Sequence, residues 1–200
     1  MSLSTIKIAI IGDASVGKTS LINRFIGNSV QYDYESKKFT FLPFYKVFDI
    51  LQKKNSGSKV NLILQDCIGL NSLKLEDPSL KEMASKIIDN ELIDMTESGN
   101  DERNFCILGY IFVFSVVDPN TAVNLQAYIE HVLEEEQTKN TKNKVFITKK
   151  LILANKVDLA HNTSVLASFY EKFSKYNCKY VETSIFDHDQ VQAFFEDFIR

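Results

Sequence analysis

Residues 12–19 near the amino terminus have the types and the spacing of a phosphate-binding loop. They read GDASVGKT and match the pattern G-x-x-x-x-G-K-[S/T] at every fixed position. Glycines let the backbone curl so that successive N–H groups point at one anion, and a helix that starts at Lys18 adds its dipole. The Lys18 ammonium would lie against the β- and γ-phosphates of a nucleoside triphosphate, and the Thr19 hydroxyl would ligate Mg²⁺. A plain glycine turn is the weaker interpretation, because an apolar run precedes the loop and an amphipathic pattern follows it.

A second polar motif distinguishes guanine from adenine. Residues 155–158 read NKVD and directly follow the apolar run Leu151–Ala154, where a doubly wound sheet presents its ligand-binding edge. The Asp158 carboxylate can there accept hydrogen bonds from the guanine ring N–H and the exocyclic amine. Adenine has no matching donors, and a buried carboxylate left unpaired costs about 1–3 kcal/mol. The two motifs together predict a guanine nucleotide as the ligand.

The rest of the chain predicts the elements that must hold these motifs in place. Apolar or alternating runs predict strands at residues 6–11, 44–51, 60–65, 109–117 and 151–154, with a short last strand beginning at Tyr180. Helical spacing predicts helices over residues 18–26, after Asp118-Pro119, around 166–173 and over 191–199. We expect an α/β fold, a three-layer P-loop NTPase sandwich whose mostly parallel sheet of about six strands is flanked by about five helices.

Composition limits the class of protein. The 200 residues, 44% hydrophobic and 24% charged, suit one globular domain. A formal net charge of −3 disfavours a general nucleic-acid binder, because no excess of Lys and Arg is available to displace phosphate counterions. The three cysteines and three histidines are too scattered for a disulfide framework or a metal pair. No apolar run reaches the roughly 18 residues that a membrane span needs. The first residues are too short for a signal peptide, so we expect a cytoplasmic protein that meets membranes through partners.

Four motifs, in order, resemble those of the Ras superfamily of small GTPases, and the resemblance covers nearly the whole chain. GDASVGKTSL resembles the first nucleotide motif, and most of all that of the Rab branch. Residues 66–69, DCIG, resemble the D-x-x-G motif, NKVD is similar to the guanine motif, and residues 182–185, ETSI, are similar to the E-T-S-A loop. The resemblance implies that Asp66 holds Mg²⁺ through water, that Gly69 binds the γ-phosphate through its N–H, and that Lys156 lies along the base.

The resemblance also implies the composition of the site. The cofactor would be Mg²⁺ and the ligand GTP or GDP, with effector proteins, an exchange factor and an activating protein as partners. The catalytic set would be Lys18, Thr40 and Gly69. The metal ligands would be Thr19, Thr40 and Asp66. The nucleotide-binding set would be Ser15, Val16, Gly17, Lys18, Thr19, Ser20, Val30, Asn155, Lys156, Asp158, Ser184, Ile185 and Phe186.

The chain departs from the family pattern after the D-x-x-G motif. Leu70 stands where the family usually has a glutamine that orients the attacking water. A leucine can neither donate to that water nor accept from it, so we expect slow hydrolysis unless another residue supplies the function. The ligand-binding threonine of the first switch is also displaced, because the family position falls near Lys37. Thr40 with a small insertion, or Ser36, could replace it, and Thr40 as the mere start of a strand is an equally open interpretation.

Two further departures concern the base and the second switch. Val30 stands where an aromatic side chain usually packs on the guanine, with Tyr32 nearby. Without that stacking we expect nucleotide binding to be weaker by around 1 kcal/mol. Residues 71–105 form a long polar insertion with one helical pattern of its own, at the position of the family's second switch. It could present a partner groove, or it could be a loop whose apolar face packs on the body. We treat residues 1–200 as one G domain that carries this insertion. The chain ends without the carboxyl-terminal cysteine of prenylated relatives, so we expect either no lipid anchor or a fragment of a longer protein.

Three functions remain open on the sequence. The first is a GTP-binding molecular switch that hydrolyses GTP to GDP and phosphate slowly without a partner. The second is a non-hydrolysing interaction module that carries a guanine nucleotide, favoured by Leu70 and by the displaced threonine. The third, an ATP-using kinase or ATPase, is disfavoured because NKVD and ETSI have no purpose in such a protein.

Overall fold

A computed structural model describes the backbone of residues 4–28, 34–42, 45–53, 59–67, 69, 106–140, 148–159 and 163–199. Val30, Tyr32, Leu70 and the insertion expected over residues 71–105 lie outside the described residues.

Strands and helices alternate through most of the described chain. The strands are β1 (Ser4–Ile11), β2 (Tyr34–Leu42), β3 (Tyr45–Lys53), β4 (Lys59–Cys67), β5 (Cys106–Ser115), β6 (Thr148–Asn155) and β7 (Lys179–Thr183). The α-helices are α1 (Lys18–Asn28), α2 (Pro119–Asn140), α3 (Thr163–Phe173) and α4 (His188–Ile199), and short 3₁₀ turns span Val157–Leu159 and Ser174–Tyr176. The predicted α/β fold is confirmed.

All seven described strands form one sheet in the order β2-β3-β4-β1-β5-β6-β7. β4, β1, β5, β6 and β7 run parallel, whereas β2 and β3 are antiparallel to their neighbours. The sheet is mostly parallel, as predicted, with seven strands in the described part instead of about six. β2 is the strand that the sequence did not reveal, because its first half, YESKK, is polar and it lies at the edge of the sheet.

Helices cover both faces of the sheet, and the strand side chains alternate between two cores. Tyr110, Phe112 and Phe114 of β5 point into one core, which also contains apolar residues of α2 and α3. Ile111 and Val113 point into the other, formed with α1 and α4. Parallel strands covered on both faces have this continuous apolar composition, which is why β5 was recognisable from sequence. The carboxyl ends of β1, β5, β6 and β7 therefore share one edge, above which their connecting loops meet.

Capping residues fix where α2 and α4 begin. The Asp118 Oδ1 accepts a hydrogen bond from the Asn120 N–H at 3.1 Å, and Pro119 occupies the first helical position. At α4, the Asp187 Oδ1 accepts from the Gln190 N–H at 3.0 Å. Each cap sets the point at which a loop of the ligand-binding edge turns into a helix.

None of the helices in the described ranges combines the length and the apolar composition that crossing a membrane requires.

Candidate nucleotide-binding site

The loop between β1 and α1 closes around Lys18. The Lys18 side chain is buried, and its Nζ donates to the carbonyl oxygens of Gly12 at 2.9 Å and Asp13 at 2.7 Å. These bonds hold the ammonium at the carboxyl edge of the sheet, where Lys18 lines a cleft. A fixed cation beside the start of a helix is the arrangement that binds phosphate.

Two glycines of this loop lie where a larger residue would not fit. A Cβ on Gly12 would lie 2.0 Å from the carbonyl oxygen of Val113 on β5. A Cβ on Gly17 would lie 2.4 Å from the Asn155 Nδ2, and Gly17 has a φ of +103°, in the left-handed region. Both glycines of the motif are therefore required by close packing of the loop on β5 and β6.

The NKVD motif is joined to the phosphate loop by two side chains. The Asn155 Nδ2 donates to the carbonyl oxygen of Val16 at 2.7 Å, and the Lys156 Nζ donates to that of Ser15, also at 2.7 Å. Asn155 is fully buried at the end of β6. These bonds hold the two sequence motifs together as one structural unit.

Thr19 and Asp66 bring two side-chain oxygens together at the phosphate loop. The Thr19 Oγ1 donates to the Asp66 Oδ2 at 2.5 Å, and the sheet register places Asp66 opposite Ile10, just before the phosphate loop. Hydroxyl and carboxylate oxygens suit Mg²⁺, which usually binds through one or two protein groups plus phosphate oxygens and water. Among the described residues no group of three His, Cys, Asp or Glu side chains is placed to hold a metal, and a magnesium site of this kind does not need one. The donor set fits Mg²⁺.

The structure does not bring Thr40 to this pair. Thr40 lies within β2 and pairs with Val47 of β3, which in turn pairs with Gln65 of β4. Two strand spacings, about 10 Å, thus separate Thr40 from β4.

Gly69 lies directly against the phosphate loop. It is buried, and a Cβ at this position would come within 2.4 Å of the Ala14 backbone nitrogen. The close approach explains why a glycine follows the aspartate of the D-x-x-G motif here. It also brings the segment that follows β4 next to the phosphate loop.

The loop after β7 forms the other end of the site. Ser184 is buried, its Oγ accepts from the Phe186 N–H at 3.2 Å, and Ile185 contributes to the cleft. Phe186 is 69% exposed, an unusual position for a phenylalanine. Asp158 is also exposed, in the 3₁₀ turn after β6. The Asp158 carboxylate is therefore not buried by the protein, contrary to the sequence-based expectation, and only a ligand could cover it.

These parts line one cleft of about 310 Å³, at the lower end of the range for small-molecule sites. Most of the predicted nucleotide-binding residues meet there. The lining residues are Ser15, Gly17, Lys18, Thr19, Ser20, Asn155, Lys156 and Ile185. Val16 is buried, Ser184 and Phe186 flank Ile185 in the chain, Asp158 lies two residues after Lys156, and Val30 lies outside the described residues.

Some polar contacts of the site were not visible in the sequence. The Asn124 Nδ2 of α2 donates to the buried Asp13 carboxylate at 2.7 Å, and Arg24 of α1 donates to the carbonyl oxygen of Ile185. Asn124 and Arg24 lie outside every motif, so no sequence signal pointed to them. Beside Asp66, burial raises the pKa of the Cys67 thiol to about 12, which makes Cys67 a neutral packing residue.

Comparison with known proteins supports the same assignment. A family model described as the Roc, or Ras of Complex, domain of DAPkinase matches residues 7–88, and that of the Ras family matches residues 103–200. The chain is 28% identical over 199 residues to Ras-related protein Rab-18-B of Danio rerio, covering 99% of this chain and 79% of the relative. It is 25% and 24% identical over 198 residues to Ras-related protein Rab-18 of Lymnaea stagnalis and Caenorhabditis briggsae, covering 99% of this chain and 80% of each relative.

The order of the four motifs, the sheet and the shared cleft agree with these matches. Small GTPases of this kind are switches that bind GTP and GDP, typically with Mg²⁺, hydrolyse GTP and act through regulators and effectors. Together the matches support a divergent small GTPase of the Ras superfamily that is similar in sequence to the Rab branch.

Proposed function

We propose that this chain binds GTP and GDP with Mg²⁺ in the cleft between the phosphate loop and the NKVD motif, and that it hydrolyses GTP slowly without a partner. One observation carries the proposal. Residues of both motifs line the same cleft, and the bonds from Asn155 and Lys156 to the phosphate loop hold its two halves together. A single guanosine phosphate could therefore contact both motifs at once.

The phosphate end has the groups that phosphoryl transfer needs. Lys18 would neutralise charge on the β- and γ-phosphate oxygens, and Thr19 with Asp66 would hold Mg²⁺. Bound Mg²⁺ supplies charge neutralisation as bond cleavage develops. The Gly69 N–H would donate to the γ-phosphate, because Gly69 already lies against the loop at Ala14. Water would attack the γ-phosphorus, so the chain's contribution is positioning and electrostatic stabilisation.

The base end has unfilled hydrogen-bonding capacity. Within the described residues the buried Asn155 Oδ1 has no hydrogen-bond partner, and a buried polar atom of this kind usually faces a ligand or water. The exposed Asp158 carboxylate can accept from the guanine ring N–H and amine. The backbone of Ser184 and Ile185 and the exposed Phe186 would complete the base end.

Two features favour slow or absent hydrolysis. Leu70 follows the D-x-x-G motif directly and has no group that could orient water. Thr40 lies in β2, two strands from Asp66, so a second hydroxyl ligand for Mg²⁺ depends on rearrangement of that strand. These observations also support the second candidate function, an interaction module that binds guanine nucleotide and does not turn it over.

Single-turnover hydrolysis of GTP separates the two candidates. We expect a slow Mg²⁺-dependent rate that rises when cell extract supplies an activating protein. Leu70→Gln restores a side chain that can align water, and we expect it to raise the rate by at least about tenfold. Leu70→Met, which keeps the volume and adds no hydrogen-bonding group, is the matched control and should leave the rate unchanged.

Two outcomes would contradict the proposal. If GTP stays intact with Mg²⁺ and extract while the chain still retains it, the interaction module is correct. If Leu70→Gln and Leu70→Met behave alike, residue 70 is not the position from which water is oriented.

A further inference from the structure

Arg24 of α1 belongs to none of the four motifs, yet its side chain contacts the loop after β7. Its Nε donates to the backbone carbonyl oxygen of Ile185 at 2.9 Å, across 161 residues of sequence. We propose that Arg24 is a positioning residue, which holds the loop after β7 against the phosphate-side helix and thereby sets how long a guanine nucleotide stays bound. The inference rests on the proposed function, because it concerns release from the same cleft.

Helical geometry directs Arg24 towards this loop. Ser20 lines the cleft, and Arg24 is four residues further along α1, on the same face and one turn away. The next residue, Phe25, is fully buried and stacks on Phe195 of α4 with ring centroids 4.4 Å apart. Since α4 starts just after the loop, this packing fixes the distance that the Arg24 side chain has to span.

Hydrogen bonds within the loop after β7 define its turn, and a separate bond joins the loop to α1. The Asp187 N–H donates to the Ser184 carbonyl oxygen at 3.0 Å, and the Val191 N–H donates to the Asp187 carbonyl oxygen at 3.1 Å. These bonds, with that from the Phe186 N–H to the Ser184 Oγ, lie within residues 184–191. They define the turn and the start of α4. The Arg24 bond instead joins the loop to the helix that begins at the phosphate end of the cleft.

The chemistry of this bond suits a clamp. A guanidinium donates a charge-assisted hydrogen bond, which is stronger than one between neutral groups. Arg24 is half-buried, so the bond is screened less by water than a surface contact would be. The planar guanidinium also directs its Nε–H along a fixed line, whereas a lysine ammonium rotates freely.

The position of the bond explains why it would affect the base more than the phosphates. Ile185 lines the cleft, and its carbonyl is the group that Arg24 holds. The phosphate loop is held by other contacts, those of Lys18, Asn155 and Lys156. Loss of the Arg24 bond should therefore loosen the base end of the cleft and leave the phosphate end intact.

The test measures release of two probes from the full chain. Arg24→Met keeps an unbranched apolar stem and removes the donor. We expect dissociation of a fluorescent GDP to become about tenfold faster, the effect of one hydrogen bond to a charged group. The affinity for Mg²⁺-pyrophosphate, which has no base, should change less than about twofold, because its contacts are retained. Arg24→Lys, which keeps the cation, should recover part of the lifetime.

Asn23→Ala is the matched control, since Asn23 is the exposed neighbour on the same helix, and it should release GDP at the unmodified rate. The proposal is overturned if Arg24→Met and the unmodified chain release GDP equally fast, or if pyrophosphate binding weakens as much as GDP binding. A circular dichroism melt checks folding. If Arg24→Met fails to fold, Arg24→Lys should still release GDP faster than the unmodified chain, though by less than about tenfold, and its pyrophosphate binding should be unchanged. A chain that binds pyrophosphate but does not prefer guanine over adenine nucleotides would instead refute the proposed function.

Discussion

Gly17 shows how tightly the two nucleotide motifs are packed together at the residue scale. Its φ of +103° is one that side-chain-bearing residues rarely adopt, and the Asn155 amide occupies the space where a Cβ would go. Asn155 in turn is held by its bond to Val16. Glycine at this position thus has two independent causes, backbone conformation and contact with the guanine motif.

We expect Gly17→Ala to reduce both stability and nucleotide binding. The strained backbone costs about 1–3 kcal/mol, and displacement of the Asn155 amide separates the phosphate loop from the NKVD motif. Gly27→Ala is the control, because Gly27 lies in α1, which follows the loop, and an added Cβ there meets no atom within 4 Å beyond the helix's own backbone; it should stabilise the helix by up to about 1 kcal/mol. Urea unfolding and GDP titration of both variants check this. Equal effects of the two alanines would contradict the role assigned to Gly17.

The sequence marked the residues of the motifs but not the contacts that join them to the rest of the chain. Lys18, Asn155 and Lys156 were identifiable because each belongs to a short pattern with a chemical reason. Arg24 and Asn124 were not, because their partners lie 161 and 111 residues away and one sequence carries no information on such pairings. The exposure of Asp158 was missed for a related reason, since the sequence placed it next to a buried strand and did not reveal the turn.

At the scale of elements, α2 and the 3₁₀ turn after α3 are joined by a polar cluster away from the nucleotide site. The Tyr176 hydroxyl donates to the Glu130 Oε1 at 2.7 Å, and the Lys175 Nζ donates to the same oxygen at 3.1 Å. Two hydrogen bonds, chiefly that from Tyr176 and secondly that from Lys175, hold the pKa of Glu130 below its ordinary value of 4.5. The cluster therefore favours the charged form of Glu130.

The lowered pKa of Glu130 makes the stability of the folded chain depend on pH. Because the pKa of Glu130 is lower in the folded chain than in the unfolded one, the cluster stabilises the fold above pH 4.5, and this contribution is lost as the pH falls through the folded pKa. Tyr176→Phe should raise the pKa of Glu130 towards its ordinary value, as read from a carboxyl NMR titration. Tyr170→Phe, an exposed tyrosine on α3, should leave it unchanged. An unaltered Glu130 titration in Tyr176→Phe would show that the hydroxyl bond is not formed in solution.

A strand or helix could be predicted from the sequence where its buried residues form a recognisable apolar pattern. The run predicted over Gly109–Val117 and the stripe of α4 are apolar because most of their residues are buried, and β5 and α4 are present there. β5 ends at Ser115, and Val117 is exposed. β2 carries charged residues along an edge and pairs with one neighbour, so its strand identity comes from pairing with β3 and not from its own composition. That pairing places the Thr40 backbone in the ladder opposite Val47, and its role as a metal ligand stays a prediction.

On the scale of the whole molecule, a ligand that bridges both ends of the cleft should stabilise the entire sheet. The phosphate loop follows β1, the NKVD motif begins at the last residue of β6, and the loop that contains Ser184 and Ile185 follows β7. A nucleotide in the cleft would therefore contact three strand ends of one sheet. Any ligand that binds the folded chain alone raises its stability by mass action. The size of that increase, compared between nucleotides, therefore measures how the site reads the base.

We expect GDP with Mg²⁺, at one hundred times its dissociation constant, to add about 2.7 kcal/mol to the free energy of unfolding. For a chain of this length that corresponds to a rise of about 5–10 °C in the melting temperature. ADP at the same concentration should give a much smaller rise, because adenine offers the Asp158 carboxylate no matching pair of donors. Asp158→Ala should bring the GDP response down to that of ADP, since it removes the acceptor and leaves the phosphate contacts of Lys18 in place. Equal shifts from GDP and ADP in the unmodified chain would mean that the cleft recognises phosphates without reading the base, and the guanine assignment would have to be abandoned.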